Sequence, residues 1–289
     1  LDAQELARLV FNIDPSCMVV PAHAWTPWFA VFGSKSGFDS LEECFGDLTP
    51  QIYAIETGLS SDPSMNRRLS QLDGITLISN SDAHSLPNLG REANVFDLDR
   101  VDYASLTDAI KSRRGFVETL EFFPEEGKYH LDGHAACKVR LEPEETFKLK
   151  GICPVCKKPL TIGVMNRLAG LADRPANFKA TSAAVAGASV GFRSIVPLAE
   201  IIADALGKKK STKPVQEEYN KILSSGIGEF EVLLGCSQAQ LLALTDKRVA
   251  EGILKVRRGE VLVQGGYDGI YGTVQIFGTG PKKKQGRLV

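Results

Sequence analysis

The tightest constraint on what this chain can fold into is the spacing of a few metal-seeking side chains. Cys153-Pro154-Val155-Cys156 is a C-x2-C turn running into Lys157, Lys158 and Pro159, and His134-Ala135-Ala136-Cys137 is an H-x2-C turn fifteen residues upstream. Two such knuckles supply four donors of the kind that hold tetrahedral zinc, and H-x2-C-x15-C-x2-C is a ribbon spacing. A segment this short has too small an apolar core to fold on its own, so a structural zinc would supply its folding free energy. Ribbon strands are expected near Lys138–Leu141 and Leu160–Val164. His130 competes with His134 for the fourth ligand position. A redox C-x-x-C would open a helix after a strand and would need no partner knuckle, so zinc is the better reading. Cys17, Cys44 and Cys236 are scattered. They do not make the paired framework of a small secreted domain, which points to a metal site in a cytoplasmic protein.

Around that centre the chain divides into three regions. Residues 1–120 alternate short apolar runs with helical patterns. Strands are expected at Met18–Pro21, Ile52–Ile55 and Ile75–Ser79, and helices at Ala3–Phe11, Leu41–Phe45, Pro63–Leu72 and Ser105–Arg113. That alternation argues for parallel β/α units, whose sites form at the C-terminal ends of the strands. His23 follows the first strand, Glu56 the second, and Asp82 and His84 the third. The chain has only four histidines, His23, His84, His130 and His134. Asp82 and His84 are two residues apart, and in an extended segment such residues point the same way. With His23 they form a candidate imidazole–carboxylate metal cluster. The plainer alternative is that Ser79-Asn80-Ser81-Asp82 is a turn and helix cap.

Residues 121–174 hold the knuckles. Residues 175–289 open with a loop-like stretch, Thr181–Gly191, followed by helices at Pro197–Leu206, Val215–Leu223, Gln238–Leu244 and Asp246–Val256. Strands at Val261–Gln264 and Gly272–Phe277 flank the turn Gly265-Gly266-Tyr267-Asp268-Gly269. Lys plus Arg total 34 against 35 Asp plus Glu, a net charge of -1. A non-catalytic nucleic-acid coat would be basic. Local clusters (Lys208, Lys209, Lys210 and Lys213; Arg257 and Arg258; Lys282, Lys283 and Lys284) are read as a solvated loop, a helix end and a tail. No apolar run is long enough to span a membrane. Leu1–Val10 reads as an amphipathic helix rather than a leader, so the chain is expected to begin inside a longer protein.

Several long blocks carry a resemblance. They are Pro21-Ala22-His23-Ala24-Trp25-Thr26-Pro27-Trp28-Phe29, Phe32-Gly33-Ser34-Lys35-Ser36-Gly37-Phe38-Asp39, Glu56-Thr57-Gly58-Leu59-Ser60-Ser61-Asp62-Pro63, Ser79-Asn80-Ser81-Asp82-Ala83-His84-Ser85, Leu89-Gly90-Arg91-Glu92-Ala93-Asn94, Glu121-Phe122-Phe123-Pro124-Glu125-Glu126-Gly127-Lys128-Tyr129-His130 and Gly266-Tyr267-Asp268-Gly269-Ile270-Tyr271-Gly272. Across nearly the whole chain these resemble the endonuclease Q branch of the PHP (polymerase and histidinol phosphatase) superfamily. The resemblance implies an α/β fold: part of a distorted β/α barrel of PHP type, a zinc-ribbon domain and a mixed α+β C-terminal region that contacts DNA. It implies that His23, Asp82 and His84 are ligands of a catalytic cluster of Zn, Mn or Mg, with Glu56 beside them as a further ligand or base. The family opens on an H-x-H strand that this chain lacks, so the chain alone is expected to carry an incomplete cluster. Asn166 stands where the family usually has His, which removes a third metal role from that segment.

The function so implied is hydrolysis of DNA on the 5′ side of deaminated bases (hypoxanthine, uracil, xanthine) or abasic sites, in DNA repair, with repair or replication proteins as further partners. Lys35 and Arg91 are candidates for phosphate contact. Among the aromatics, Trp28, Tyr267 and Tyr271 are candidates for stacking on an extruded base. The competing readings are a small-molecule phosphoesterase, which would need neither ribbon nor C-terminal region, and a non-catalytic scaffold.

Overall fold

The computed structural model describes residues 1–179 and 190–278. All but the end of the Thr181–Gly191 stretch, and the whole Lys282–Lys284 cluster, lie outside the described residues. The chain forms two compact units: Leu1–Arg193 joined by Gly265–Gly272, and Ser194–Gln264 joined by the segment that begins at Thr273.

In the first unit, α1 (Ala3–Ile13) starts where the Asp2 side chain accepts from the Glu5 N–H, and α2 (Leu41–Phe45) where Ser40 accepts from Glu43. Each cap satisfies one of the amides a helix start leaves open. β1 (Ala54–Glu56) lies parallel to β2 (Thr76–Ile78), Ile55 opposite Leu77, with α3 (Pro63–Asn66) between them in sequence. Both strands are buried on both faces, as a covered parallel pair must be. β3 (Ala93–Phe96), α4 (Tyr103–Ser112) and β4 (Phe116–Glu121) follow, and β3 and β4 pair antiparallel with an irregularity at Val95/Phe96. β5 (Asp132–His134) and β6 (Val139–Leu141) form a hairpin, followed by α5 (Pro143–Lys148) and α6 (Val164–Leu171). β7 (Gly191–Ser194) adds to β4. The core gathers Trp25, Phe32, Ile55, Leu72 and Leu168, and the Trp25 indole N–H is satisfied by Asn66 Oδ1 at 2.8 Å.

The class is mixed α/β, and three local expectations are corrected. Met18–Pro21 forms no strand. Pro21 has no N–H to give, yet its carbonyl accepts from Glu56 N (3.0 Å) and Ala24 N reaches Glu56 O (3.1 Å), so the segment still runs beside β1. The helix expected over Pro63–Leu72 stops at Asn66 and resumes as a 3-10 turn at Ser70–Leu72. Between them the buried Arg67 guanidinium binds the Leu72 and Ile75 carbonyls, and the chain wraps around it. Leu160–Val164 is not a full strand: Thr161 makes a single bridge to Gly133, and Val164 already opens α6.

The second unit contains α7 (Leu198–Leu206), α8 (Lys213–Leu223), a π-turn at Glu231–Gly235, α9 (Gln238–Leu244), α10 (Lys247–Arg257) and the antiparallel strands β8 (Leu262–Gln264) and β9 (Thr273–Gln275). Gly252 lets α10 close on α7, since a Cβ there would lie 2.9 Å from Ile201 Cγ2. No helix among the described residues is long and apolar enough to cross a membrane.

Arg257 donates to the carbonyls of Val232 (2.8 Å), Leu233 (2.7 Å) and Cys236 (2.6 Å), which the π-turn leaves open. Replacing Arg257 by Ala is expected to cost the second unit about 2 kcal/mol, the scale of charge-assisted hydrogen bonds lost from partly buried acceptors. Urea unfolding of the variant, followed by far-UV circular dichroism, measures it.

Candidate metal centre and adjoining cavity

The two knuckles converge. Ligand atoms of His134, Cys137, Cys153 and Cys156 all lie within 4.8 Å of one another, and Cys156 Sγ is 3.3 Å from His134 Nδ1. His134 ends β5, Cys137 closes the 3-10 turn after it, and Cys153 is fully buried. Burial and the neighbouring thiols push Cys137 up to about 11. Burial also acts to raise Cys153, but the Cys156 and Val155 amides and the Cys156 and His134 side chains outweigh it, and that thiol is brought down to about 6. A thiolate prepared by backbone amides within a sulfur- and imidazole-rich quartet is what a tetrahedral cation requires, and the donor set fits zinc. His130 is not a member of the quartet.

His130 lines a cavity of about 570 Å³, together with His23, Trp28, Asp82, Lys128, Tyr129 and Tyr271. Trp28 meets Tyr129 edge-on at 5.7 Å between centroids. Lys128 Nζ lies 5.5 Å from the Tyr129 ring centre and 5.9 Å from that of Tyr271, so the wall carries a cation between aromatic faces. Lys128 and Tyr129 were not among the residues singled out from the sequence. Their signal was there, in the block Glu125–His130, but nothing in its pattern shows which side chains face a cavity.

His23 and Asp82 have backbone φ of 32° and 44°. Left-handed conformations are costly for residues other than glycine and are held only where surrounding contacts impose them. For His23 those contacts are visible. Its N–H donates to Glu56 Oε2 at 2.6 Å, its Nδ1 is 3.2 Å from Thr26 Oγ1, and Gly58 sits so close that a Cβ there would be 2.9 Å from His23 Cα. Glu56 Oε1 accepts from Asn80 Nδ2 at 3.0 Å, so the buried carboxylate ties the His23 loop to the Asn80 loop. Arg91 Nε donates to Ser81 O at 2.8 Å and Nη2 to Asp82 O at 3.3 Å, so its guanidinium shapes the Asp82 loop. His84 Nδ1 is 2.9 Å from Asp82 O, and its side chain is 85% exposed. Lys35 is exposed, and its amide donates to Pro27 O. Tyr267 packs its ring on Gly133, where a Cβ would lie 2.3 Å from Cδ2. The structure therefore brings His23 and Asp82 to one cavity. Among the described residues, His23, Glu56, Asp82 and His84 do not draw three ligand atoms into one cluster.

Beneath the loops lie buried acids. Glu121 is fully buried and accepts from Thr57 Oγ1 at 2.9 Å and from Thr119. Burial pushes its carboxyl up to about 8, against the opposing hydroxyl bonds. Burial, then the charges of Glu121 and Glu56, also raises Glu92 well above the usual range, although the Phe122 amide opposes this. Asn166 Nδ2 donates to Asp132 Oδ2 at 2.6 Å, and Gly163 N to Asp132 Oδ1 at 2.7 Å, so Asn166 helps fix the start of α6.

A raised folded-state value makes Glu121 contribute stability that is fully present below its unfolded value near 4.5 and is lost as pH rises through about 8. Glu121→Gln keeps the shape and cannot ionise. The stability of the variant relative to the natural protein is expected to rise from pH 5 to pH 8, read as the difference between urea midpoints; a constant difference counts against a protonated Glu121.

The family model for a PHP-associated segment matches residues 65–114, and that for the MJ0043 C-terminal domain matches residues 197–260. The uncharacterized protein MJ0043 of Methanocaldococcus jannaschii is 30% identical over 87% of this chain and 31% of its own length. The crystal structure of the lesion-specific endonuclease PfuEndoQ from Pyrococcus furiosus superposes with a TM-score of 0.82 at 30% identity, covering 95% of this chain and 66% of that one. Endonuclease Q in complex with a 27-mer duplex bearing an abasic lesion at its active site superposes with a TM-score of 0.79 at 30% identity, covering 95% and 67%. The chain thus spans about a third of the length of the curated relative and about two thirds of each solved chain. With that likeness running through both units, the chain belongs to the endonuclease Q family.

Proposed function

We propose that this chain is the lesion-binding part, and a portion of the catalytic part, of a DNA repair endonuclease that cuts the phosphodiester on the 5′ side of deaminated bases (hypoxanthine, uracil, xanthine) or abasic sites. The observation that carries this reading is the cavity: His23 and Asp82, both in strained backbone conformations, share its wall with Trp28, Tyr129 and Tyr271. Chemistry at a damaged base requires the nucleotide to leave the stack, and an aromatic-walled cavity compensates for lost stacking. Lys128 brings positive charge to the same wall, as a phosphate neighbour requires. Its ammonium lies near two tyrosine ring centres, 5.5 Å from Tyr129 and 5.9 Å from Tyr271.

Bound at such a site, Zn, Mn or Mg would polarise the phosphate and lower the pKa of a bound water. His23 and Asp82, on the cavity wall, would contribute donors to such a site, and His84, exposed with its Nδ1 against Asp82 O, would have to turn to join them. Glu56 and Arg91 act through the loops they tie: one holds the His23 backbone, the other the Asp82 backbone. Zinc in the knuckle quartet has a structural role.

The test uses the full-length protein carrying this chain, supplied with Mn or Mg, and duplexes bearing one deoxyinosine, one deoxyuridine, one abasic site or no lesion. Cutting is expected only on the lesion strand, 5′ to the lesion. Asp82→Asn, chosen because Asn tolerates the left-handed backbone, is expected to slow nicking by about 100-fold or more, about 2.7 kcal/mol of barrier. Hydrolysis of free phosphomonoesters with no nicking of any duplex would favour the small-molecule phosphoesterase instead.

A further inference from the structure

The turn Gly265–Gly272 joins β8 to β9 in sequence but belongs to the first unit. Two sets of bonds hold it there. On one side Gly266 N donates to Glu125 O (2.8 Å), Gly269 N to Lys128 O (3.0 Å) and Gly272 N to Glu126 O (3.0 Å), while Leu131 N donates to Gly266 O (2.8 Å). These bonds fasten the turn to the segment that supplies Lys128, Tyr129 and His130 to the cavity. On the other side Asp268 Oδ2 accepts from Ala135 N at 2.6 Å and Oδ1 from Thr161 Oγ1 at 2.5 Å. Ala135 lies between His134 and Cys137 in the first knuckle. Thr161 bridges Gly133 through paired backbone bonds of 3.0 and 2.9 Å. One carboxylate therefore clamps both edges of the ribbon from a backbone φ of 44°, which Asp and Asn tolerate better than other side chains. Tyr267 lies against Gly133, and Tyr271, at the far end of the turn, reaches the cavity.

We infer that Asp268 is a positioning residue that couples the zinc quartet to the cavity wall. Metal in the quartet fixes the first knuckle, the knuckle and Thr161 seat Asp268, and the seated turn holds the Lys128 segment and Tyr271 in place. The inference rests on the quartet holding zinc and does not depend on DNA cleavage. Linkage makes the coupling reciprocal: whatever loosens the turn weakens metal binding, and removing metal loosens the turn.

The experiment is done on the full-length protein loaded with zinc, after its zinc content has been measured. Amide hydrogen exchange is followed at Leu131, Gly266, Gly269 and Gly272 before and after a chelator strips the zinc, with the β1–β2 amides as internal reference. Stripping is expected to remove protection from all four while the reference amides keep theirs. Asp268→Asn retains the backbone preference and removes the charge. It is expected to lower zinc affinity, measured by competition with a chromophoric chelator, by roughly 10–100-fold, the usual effect of losing a group that orients metal ligands, and to expose the four amides even with zinc bound. Should that variant fail to fold by circular dichroism, Thr161→Val, which removes a single hydroxyl donor, decides the matter by a smaller fall in the same direction. Four amides equally protected with and without zinc, or a folded variant that holds zinc as tightly as the natural protein, overturns the coupling. A quartet that binds no zinc overturns the metal reading and the coupling with it.

Discussion

The segment from Glu125 to Asp132 must satisfy its backbone on two sides at once, and much of the first unit is arranged around that requirement. Its carbonyls at Glu125, Glu126 and Lys128 take amides from the glycine turn, while those of Tyr129 and His130 take amides from Val164 and Met165 at the start of α6. A buried polypeptide that left these groups unpaired would lose more than its side-chain contacts return. The path of the segment is therefore fixed by partners distant in sequence. Lys128, Tyr129 and His130 face the cavity because the strip that carries them is fastened along both edges.

A second constraint acts at the loops opposite. Glu56 spends both oxygens on neighbouring loops, Arg91 spends its guanidinium on the carbonyls of Ser81 and Asp82, and Gly58 leaves no room behind His23. Together these contacts hold the left-handed geometry of His23 and Asp82. The strain is local, and the surrounding hydrogen bonds maintain it. Below them, Glu92 and Glu121 are kept out of water with values shifted towards the neutral form. Protonated carboxyls there relieve the repulsion that three buried acids would otherwise exert on one another.

Much of this was legible in the sequence wherever chemistry and spacing coincide. The knuckles announced the quartet, and His134, not His130, completes it. β1, β2, α2 and α9 follow from apolar runs and capping residues close to where they occur. What could not be read was governed by long-range contacts. Met18–Pro21 has the composition of a strand but lacks a donor at Pro21. Arg67 divides a helical pattern because its buried guanidinium needs carbonyls, and the antiparallel β3–β4 pair joins segments separated by α4. For the same reason Glu56 could be named as a site residue but not as a brace between two loops, since its partners His23 and Asn80 lie far off in sequence. Tyr267 and Tyr271 share one turn, yet only the structure separates the ring that packs on Gly133 from the one that reaches the cavity.

The placement of the glycine turn also bears on how the molecule comes into being. A chain emerging from its N-terminus can form β1, β2 and the knuckles early, but the cavity wall lacks its last fastening until Gly272 has been made, after nearly all of the second unit. The stretch Ser194–Gln264 of the second unit must be made first, and the turn is presented once β8, at its end, has paired with β9. Closing a loop of that size costs entropy that grows only slowly with its length, and local contacts in α7 to α10 can form first. The order of synthesis thus finishes this cavity wall after the knuckles and after the helices of the second unit.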